Sequence, residues 1–434
     1  MKIYVLLILL LAQLGIVSCS DDEDNSSPDL DLIVAEVQTT INLNIDEETL
    51  LHLDFENAKG PLSYVWTVDD SVNSEEENFI FSSHESGQYF VNVYVEDAEG
   101  KYTSVQFQLI VDGKPLFNGD KVVVGYYPSY RNNEVQWDKI THFIYAHIYP
   151  KNDGTLDLSD MAKLSDYVEE AKANNVKILV SLGGAGEYPG RNERVFTNVI
   201  LNKNKRTKLI KNIVSFVSNN KLDGIDIYYN EFIGGGEAVD NSESNQLLPF
   251  YRELRNALPS ANIITTSVTG SYGWAAYHYR DIADRMSNIF NLISVMAFDN
   301  LGTYENSPLG HPATVKDMEN ALNRYLEFGV PKNKIVVGIP FYGRDFLNKA
   351  GGLAETITYA DIIKRYSPSE VELDIGNIKR DGHNIFFDSR NIISQKVNYL
   401  RKNDFKGITL WELGQDSPDS NWSLLQDIPS QFEK

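Results

Sequence analysis

Short apolar segments recur from residue 121 to the end of the chain, and amphipathic stretches separate most of them. Each segment is a nearly continuous apolar run, which is typical of parallel strands buried on both faces. Eight strands that alternate with helices over about 310 residues predict an α/β fold, a (β/α)8 or TIM barrel, at residues 119–434. The segments are VVVGYY (122–127), HFIYAHI (142–148), KILVSL (177–182), GIDIYY (224–229), IITTSV (263–268), LISVMAF (292–298), KIVVGIP (334–340) and GITLWE (407–412).

Residues 31–114 show a different pattern, in which apolar and polar positions alternate in short runs. Runs such as TTINLNI, LSYVWTV and QYFVNVYVED are separated by polar turn segments such as DDSVNSEEEN. This pattern predicts a small all-β immunoglobulin-like sandwich before the barrel. The runs YVWTV and SGQYFVNVYVED resemble those of PKD-like modules, and the resemblance implies that Trp66 is the buried core aromatic.

The beginning of the chain predicts export and a lipid anchor. Residues 1–18 combine Lys2, an apolar run and Ser18, the pattern of a secretory signal peptide. Cys19 is the only cysteine, and the stretch IVSC resembles a bacterial lipobox, which implies lipidation of Cys19. The acidic run SDDED at 20–24 resembles the surface-export signal of Bacteroidetes lipoproteins. The alternative is a free thiol after an ordinary signal peptide.

These features imply a surface-exposed protein of the outer membrane that contacts the membrane only through its lipid. Residues 19–30 would then form an acidic, flexible tether.

Charge and composition exclude several classes of function. The formal net charge is −22, and residues 20–115 carry 22 acidic and 3 basic side chains. Nucleic-acid binding needs clustered Lys and Arg, so this balance argues against it. The sequence has no metal-ligand spacing and no phosphate-binding loop, and we expect neither a metal nor a cofactor.

Motifs at the predicted strand ends resemble those of glycoside hydrolase family 18, the chitinases and endo-β-N-acetylglucosaminidases. In chain order they are GYYPSY, THFIYAH, SLGG, DGIDIYYNE, SVMAFDN, GIPFYGR and Trp411, and the resemblance covers about residues 121–430. The family's fourth-strand motif is D-G-x-D-x-D-x-E. Its acids face the barrel mouth, its terminal Glu is the general acid, and the preceding Asp orients the substrate's N-acetyl group.

The catalytic part of this motif is degenerate here. Asp223 and Asp226 keep the first two acids, but Tyr228 replaces the third and Asn230 replaces the Glu. An amide cannot donate the required proton, and loss of general-acid catalysis costs about 10²–10⁴-fold. Phe298 stands where the family has a Tyr that steadies the reaction intermediate. Glu231 could restore an acid only if a bulge turned it inward, because neighbouring strand residues face opposite sides.

The resemblance implies that a glycan-binding surface survives better than the catalytic acids. It places the aromatic floor at Trp411 and the central subsites at Met296, Asp299, Tyr342 and Arg344. Glycan contacts are also expected from Tyr126, Tyr228 and Asn230. His147 replaces a family Phe, and Ala185 stands where many members have a Trp.

Three functions remain open from the sequence. The first is a surface lipoprotein that binds N-acetylglucosamine-containing oligosaccharides or N-glycans, with glycan-uptake proteins as possible partners. The second is an active glycosidase that uses Glu231. The third is a barrel repurposed for protein–protein contact, with its pocket filled by its own side chains. The short segment from about 345 to 388 further predicts a shallow groove.

Overall fold

The computed structural model describes residues 32–44, 47–68, 71–83, 87–112, 121–184, 193–231, 242–270 and 278–433. The chain divides into two compact units, Met1–Asp112 and Gly113–Lys434. The predicted signal peptide (1–18), Cys19, the tether (19–30) and Ala185 lie outside the described residues. Within the described ranges, no helix combines the length and apolar character needed to span a membrane.

The N-terminal unit is all β, as the alternating pattern predicts. A five-stranded sheet has the order β1-β7-β6-β3-β4, and β2 pairs with β5. Trp66 is fully buried between the rings of Phe79 and Phe107, at centroid distances of 5.5 and 6.2 Å. The strands are β1 (Thr40–Asn44), β2 (Thr49–Leu51), β3 (Ser63–Val68), β4 (Ser71–Ser74), β5 (Phe79–Phe81), β6 (Gly87–Glu96) and β7 (Tyr102–Asp112).

The second unit is a closed parallel barrel, which confirms the predicted (β/α)8 fold. The eighth strand pairs with the first through Gly407↔Val122 to Leu410↔Gly125, so the sheet closes on itself. The barrel strands are β8 (Val122–Pro128), β9 (His142–Pro150), β11 (Lys177–Gly183), β12 (Gly224–Tyr228), β13 (Ile263–Thr269), β14 (Leu292–Met296), β15 (Ile335–Pro340) and β20 (Gly407–Trp411). A short strand, β10 (Leu156–Asp157), pairs antiparallel with β9.

Amphipathic helices cover the barrel and bury their apolar faces against its strands. The helix Val315–Glu327 begins with a capping box, in which Thr314 and Asp317 satisfy each other's backbone N–H groups. The helices are α1 (Leu164–Ala173), α2 (Val195–Leu201), α3 (Lys203–Asn219), α4 (Ser242–Ala257), α5 (Ala283–Met286), α6 (Val315–Glu327), α7 (Tyr359–Tyr366), α8 (Glu370–Ile375), α9 (Arg390–Lys402) and α10 (Ile428–Glu433). The described residues also form 3-10 turns at Trp137–Lys139, Lys332–Lys334 and Leu413–Gln415.

Close strand packing explains why a glycine begins β12. A Cβ atom at Gly224 would lie 1.8 Å from the carbonyl oxygen of Ile263 on the neighbouring strand. Any other residue would therefore push β12 and β13 apart. This glycine fixes the position of the strand that carries Asp226 and Tyr228.

An antiparallel sheet is inserted between β15 and α9. Its strands are β16 (Tyr342–Asp345), β17 (Glu355–Thr358), β18 (Asn377–Arg380) and β19 (His383–Phe387), in the order β17-β16-β19-β18. Helices α7 and α8 belong to the same insertion. The apolar pattern of the sequence did not predict this sheet, because its strands are only four or five residues long.

Candidate functional site

The C-terminal ends of the barrel strands surround a cavity of about 270 Å³. This is the end at which barrels of this type carry functional groups. Five of the residues singled out from the sequence line it, namely Tyr228, Asn230, Met296, Phe298 and Asp299. The other lining residues are Tyr229, Ser267, Thr269, Tyr279 and Thr303.

A buried carboxylate lies beneath this cavity. Asp226 is fully buried, and three hydroxyl groups donate hydrogen bonds to it: Tyr126 at 2.8 Å, Ser181 at 2.7 Å and Thr265 at 2.7 Å. Burial raises the pKa of Asp226 above its ordinary value, although the three hydroxyl groups act in the opposite direction. The carboxylate holds four strands together, and its burial keeps it out of reach of a ligand.

Asp223 is a structural acid and does not face the barrel mouth, although the family motif implies that its acids do. Its Oδ2 accepts a 2.8 Å hydrogen bond from the backbone N–H of Ile178, and its Oδ1 lies 3.6 Å from Lys177 Nζ. Asp223 precedes β12, so it lies at the N-terminal end of the strands. Its distance of three residues from Asp226 also breaks the two-residue alternation of a strand. It fixes the pairing of β11 with β12.

Two polar side chains on the cavity wall have unused hydrogen-bonding capacity. The hydroxyl of Tyr228 and the side-chain amide of Asn230 have no hydrogen-bond partner among the described residues, and both side chains are partly exposed. Burial raises the pKa of Tyr228, so the hydroxyl is neutral at physiological pH. Both groups can therefore donate to and accept from a neutral ligand.

The opposite wall of the cavity is apolar. Met296 and Phe298 are both buried, and the Phe298 ring meets the ring of Tyr342 edge to face at 6.1 Å. Phe298 has no hydroxyl to offer to a reaction intermediate. This wall can exclude water and contact the apolar edge of a ligand.

A charged cluster borders the cavity. Asp299 Oδ1 accepts hydrogen bonds from Tyr342 Oη at 2.8 Å and from two nitrogens of Arg344 at 2.6 and 3.2 Å. Arg344 is committed further by a 2.7 Å bond to Thr356. Asp299 Oδ2 has no partner among the described residues, and the side chain is 34% exposed. This oxygen is an oriented acceptor for a ligand hydroxyl or amide.

Aromatic rings surround Trp411 at the end of β20. Its ring lies 5.3 Å from Tyr126, 6.0 Å from His147 in a stacked arrangement, and 6.5 Å from Tyr228 edge-on. Trp411 remains partly exposed, and its indole N–H has no partner among the described residues. These contacts fix the orientation of a ring that can stack against a pyranose.

His147 is neutral in this aromatic environment. Burial lowers its pKa to about 4, and its Nδ1 atom has no hydrogen-bond partner among the described residues. The ring lies beside Gly184, where an added Cβ would approach it to 3.2 Å. His147 therefore forms part of the aromatic wall.

Glu231 faces away from the cavity. Its carboxylate accepts hydrogen bonds from the backbone N–H groups of Phe196 at 3.3 Å and Thr197 at 2.8 Å, and from the Thr197 hydroxyl at 2.7 Å. These residues form the first turn of α2, so Glu231 caps that helix from a distant part of the chain. Only 5% of Glu231 is exposed. The bulge that would bring it to the cavity is absent from the described strand end.

Sequence reasoning missed five of the cavity-lining residues. Ser267 and Thr269 alternate on β13 and could have been found by that spacing. Tyr229 follows the strand end that carries Tyr228. Tyr279 and Thr303 lie in connecting segments, which carry no periodic signal. Among the described residues there is no cluster of His, Cys, Asp or Glu that could hold a metal ion.

Comparison with known proteins identifies the family. The chain is similar to a chitinase-like effector of Moniliophthora roreri, with 28% identity over 256 residues. The match covers 54% of this chain and 61% of that protein. The chain thus spans about three fifths of the length of the first curated relatives that it matches.

Solved structures share the barrel. A chitinase from Bacteroides thetaiotaomicron is 26% identical, with a TM-score of 0.59, and the match covers 72% of this chain and 96% of that one. A chitinase-like agglutinin from Robinia pseudoacacia shares the fold at 20% identity and a TM-score of 0.59, covering 71% and 99%. The model of the glycosyl hydrolases family 18 matches residues 122–416, well over half of the chain. The chain therefore belongs to glycosyl hydrolase family 18.

Proposed function

We propose that this chain is a cell-surface lipoprotein that binds N-acetylglucosamine-containing glycans at the barrel mouth without cleaving them. The proposal rests on Asn230. It occupies the position of the general acid in the family pattern, and it lines the cavity with its amide unpaired. An amide in this position can hold a sugar hydroxyl but cannot protonate a leaving group.

Tyr228 and Phe298 also support binding without cleavage. Tyr228 stands where the family pattern has an Asp, and Phe298 stands where it has a Tyr. All three changes concern the same chemical step. The alternative acid, Glu231, is committed to helix α2 and lies on the other side of the strand end. The fold itself does not decide between binding and hydrolysis, since it occurs in proteins described as chitinases and in one described as an agglutinin.

The ligand class follows from the groups that are available. Trp411 offers an aromatic face, Tyr228 and Asn230 offer unpaired donors and acceptors, and Asp299 offers one carboxylate oxygen. An aromatic face beside a few fixed polar groups suits a neutral sugar. The cavity of about 270 Å³ is small, which favours one sugar unit inside and the rest of the glycan outside. Chitin oligosaccharides and N-glycan cores both fit this description.

Calorimetry with chitotetraose and with an N-glycan core tests the proposal. We expect wild type to bind at least one of them, and Trp411→Ala to weaken binding by about tenfold or more. Tyr102→Ala is the matched control, since this exposed aromatic belongs to the N-terminal unit. Chromatography of the recovered ligands should show no shortening. Turnover that Glu231→Gln abolishes would overturn the proposal in favour of hydrolysis.

A second candidate function has one observation in its favour. The rings of Tyr126, His147 and Tyr228 pack around Trp411, so the protein's own side chains already cover part of this aromatic surface. A barrel used for protein contact would show this. Absence of binding to both glycans, with no effect of Trp411→Ala, would support that function instead.

The proposed location rests on the first residues of the chain. Lipidation of Cys19 would anchor the protein in the outer membrane, and the acidic tether would hold it at the surface near glycan-uptake proteins. Cys19→Ser should release the protein from the membrane fraction. Intact cells treated with protease should lose the anchored protein if it is surface-exposed.

A further inference from the structure

A second cavity lies apart from the barrel mouth. Its volume is about 290 Å³, and it shares no lining residue with the cavity beside Asn230. Its walls come from the beginning of α7, from α8, from the beginning of α9 and from the segment after β20. The lining residues are Tyr359, Glu370, Leu373, Asp374, Ser389, Arg390, Asn391, Asn421 and Trp422.

Trp422 is the exposed aromatic of this cavity. It is 37% exposed, and its indole N–H has no hydrogen-bond partner among the described residues. Its backbone is held in a tight turn, since the N–H groups of Trp422 and Ser423 both donate to the carbonyl of Asp419 at 2.9 Å. The N–H of Asn421 donates to the carboxylate of the same Asp at 2.9 Å. The backbone that carries this large aromatic side chain is therefore fixed beside the cavity.

The next residues of this segment are anchored to the barrel. The buried carboxylate of Asp416 accepts hydrogen bonds from the Ser423 hydroxyl at 2.7 Å and from the backbone N–H groups of Leu424 and Leu425 at 2.8 and 3.1 Å. The backbone position of Trp422 is thus set before any ligand arrives. Binding then has to order only the side-chain torsions of Trp422.

The polar groups of the cavity select a neutral ligand that donates hydrogen bonds. The positive charge of Arg390 is already used, because its guanidinium bonds to Asp427 and to the carbonyl of Asn421. The Asn391 amide nitrogen donates to Asp374 Oδ1 at 2.6 Å, which leaves Asn391 Oδ1 and Asp374 Oδ2 without a partner among the described residues. With Glu370 also exposed, the free polar groups other than the Trp422 indole N–H are acceptors, and the local charge repels anions.

We propose that this cavity is a second carbohydrate site, in which one neutral pyranose unit stacks on Trp422 and donates hydroxyl hydrogen bonds to Asp374 and Asn391. The volume is near the lower end of the roughly 300–1,000 Å³ range of small-molecule sites, which suits a single sugar unit. The site does not depend on the barrel mouth, so it stands whether or not glycans bind there. It would give the protein a second point of attachment to a branched or polymeric glycan.

Saturation-transfer NMR and binding isotherms on the full chain test this site. The probes are the methyl glycosides of N-acetylglucosamine, glucose, mannose and galactose at millimolar concentration. We expect at least one to bind to the Trp411→Ala variant, in which the barrel-mouth site is weakened. Trp422→Ala should reduce that binding by about tenfold or more, and Trp422→Phe should retain part of it.

A second variant of the site and a control outside it show whether the effect is specific. Asp374→Ala, an exposed substitution, should weaken binding while the thermal midpoint stays unchanged, and Tyr304→Ala, another exposed aromatic, should leave binding unaltered. Glucuronate should bind more weakly than glucose because of the local negative charge. Unchanged isotherms in Trp422→Ala would overturn the proposal. So would the absence of saturable binding of all four sugars to the wild type.

Discussion

Glu231 is the one carboxylate proposed from the sequence as a replacement for the missing general acid. Its substitution tests whether its role is structural or catalytic. The structure assigns Glu231 to the N-terminus of α2, through two backbone N–H groups and the hydroxyl of Thr197. Glu231→Ala should therefore destabilise the barrel unit and leave glycan binding unchanged. A catalytic Glu231 would give the opposite result, with stability kept and turnover lost.

The expected magnitude follows from these contacts. A hydrogen bond to a charged group contributes about 1.5–3 kcal/mol, and the Phe196 contact, at 3.3 Å, is the weakest of the three. The Thr197 hydroxyl keeps Tyr229 as a partner at 2.8 Å, so its loss is partly offset. We expect a cost of about 3 kcal/mol, most of it from the N–H of Thr197 left unsatisfied at a buried helix end. In a unit of this size, that lowers the thermal midpoint by about 5 °C.

Differential scanning calorimetry with titration of the bound glycan measures both quantities. Glu231→Gln should fall between wild type and Glu231→Ala, because one acceptor oxygen remains while the charge is lost. Glu193→Ala is the matched control, since Glu193 is exposed and lies just before α2. An unchanged thermal midpoint in Glu231→Ala, together with a loss of any measured turnover, would refute the structural assignment of this carboxylate.

Two further predictions concern the cavity. His147 has a pKa of about 4 when folded, against about 6.5 in the unfolded chain, so its contribution to stability is full above pH 6.5 and is lost as the pH falls towards 4. Urea denaturation at each pH measures the free energy of unfolding. Between pH 8 and pH 5, wild type should lose up to about 2 kcal/mol more of this free energy than His147→Phe does. The triple variant Tyr228→Asp/Asn230→Glu/Phe298→Tyr restores the family pattern. Its rate of chitotetraose cleavage should exceed the background rate measured with wild type by about 10²-fold or more.

Each of these two predictions has its own control and its own contradicting result. His142 also has a pKa lowered to about 4 by burial, so a residual pH dependence should persist in His147→Phe. An identical pH dependence in both proteins would contradict the lowered pKa of His147. For the triple variant, the single change Asn230→Glu separates the acid from its supporting groups. A folded triple variant that binds but does not cleave would show that the missing residues are not what prevents hydrolysis.

The sequence predicted the barrel and half of the residues that line the cavity at its mouth. Strands buried on both faces are mostly apolar, so all eight could be located from the hydrophobic pattern, although β13 also buries Thr265, Thr266 and Ser267. Alternation places Asn230 in the cavity wall and turns Glu231 away from it, as the structure does, but Tyr229 also lines the cavity between Tyr228 and Asn230. The rule failed at Asp223 as well. Strand β12 spans only Gly224–Tyr228, and alternation holds only within a strand.

Only the tertiary structure decided what each of these side chains contacts. The partners of Asp226 come from β8, β11 and β13, and the helix capped by Glu231 begins more than thirty residues earlier in the chain. Likewise, Tyr279 and Thr303 reach the cavity from connecting segments that no period marks, and Trp422 lines a cavity together with the distant first residues of α9. Local patterns record which face of an element is buried. The groups that meet on that face are set by packing between segments distant in the sequence, and no local pattern encodes them.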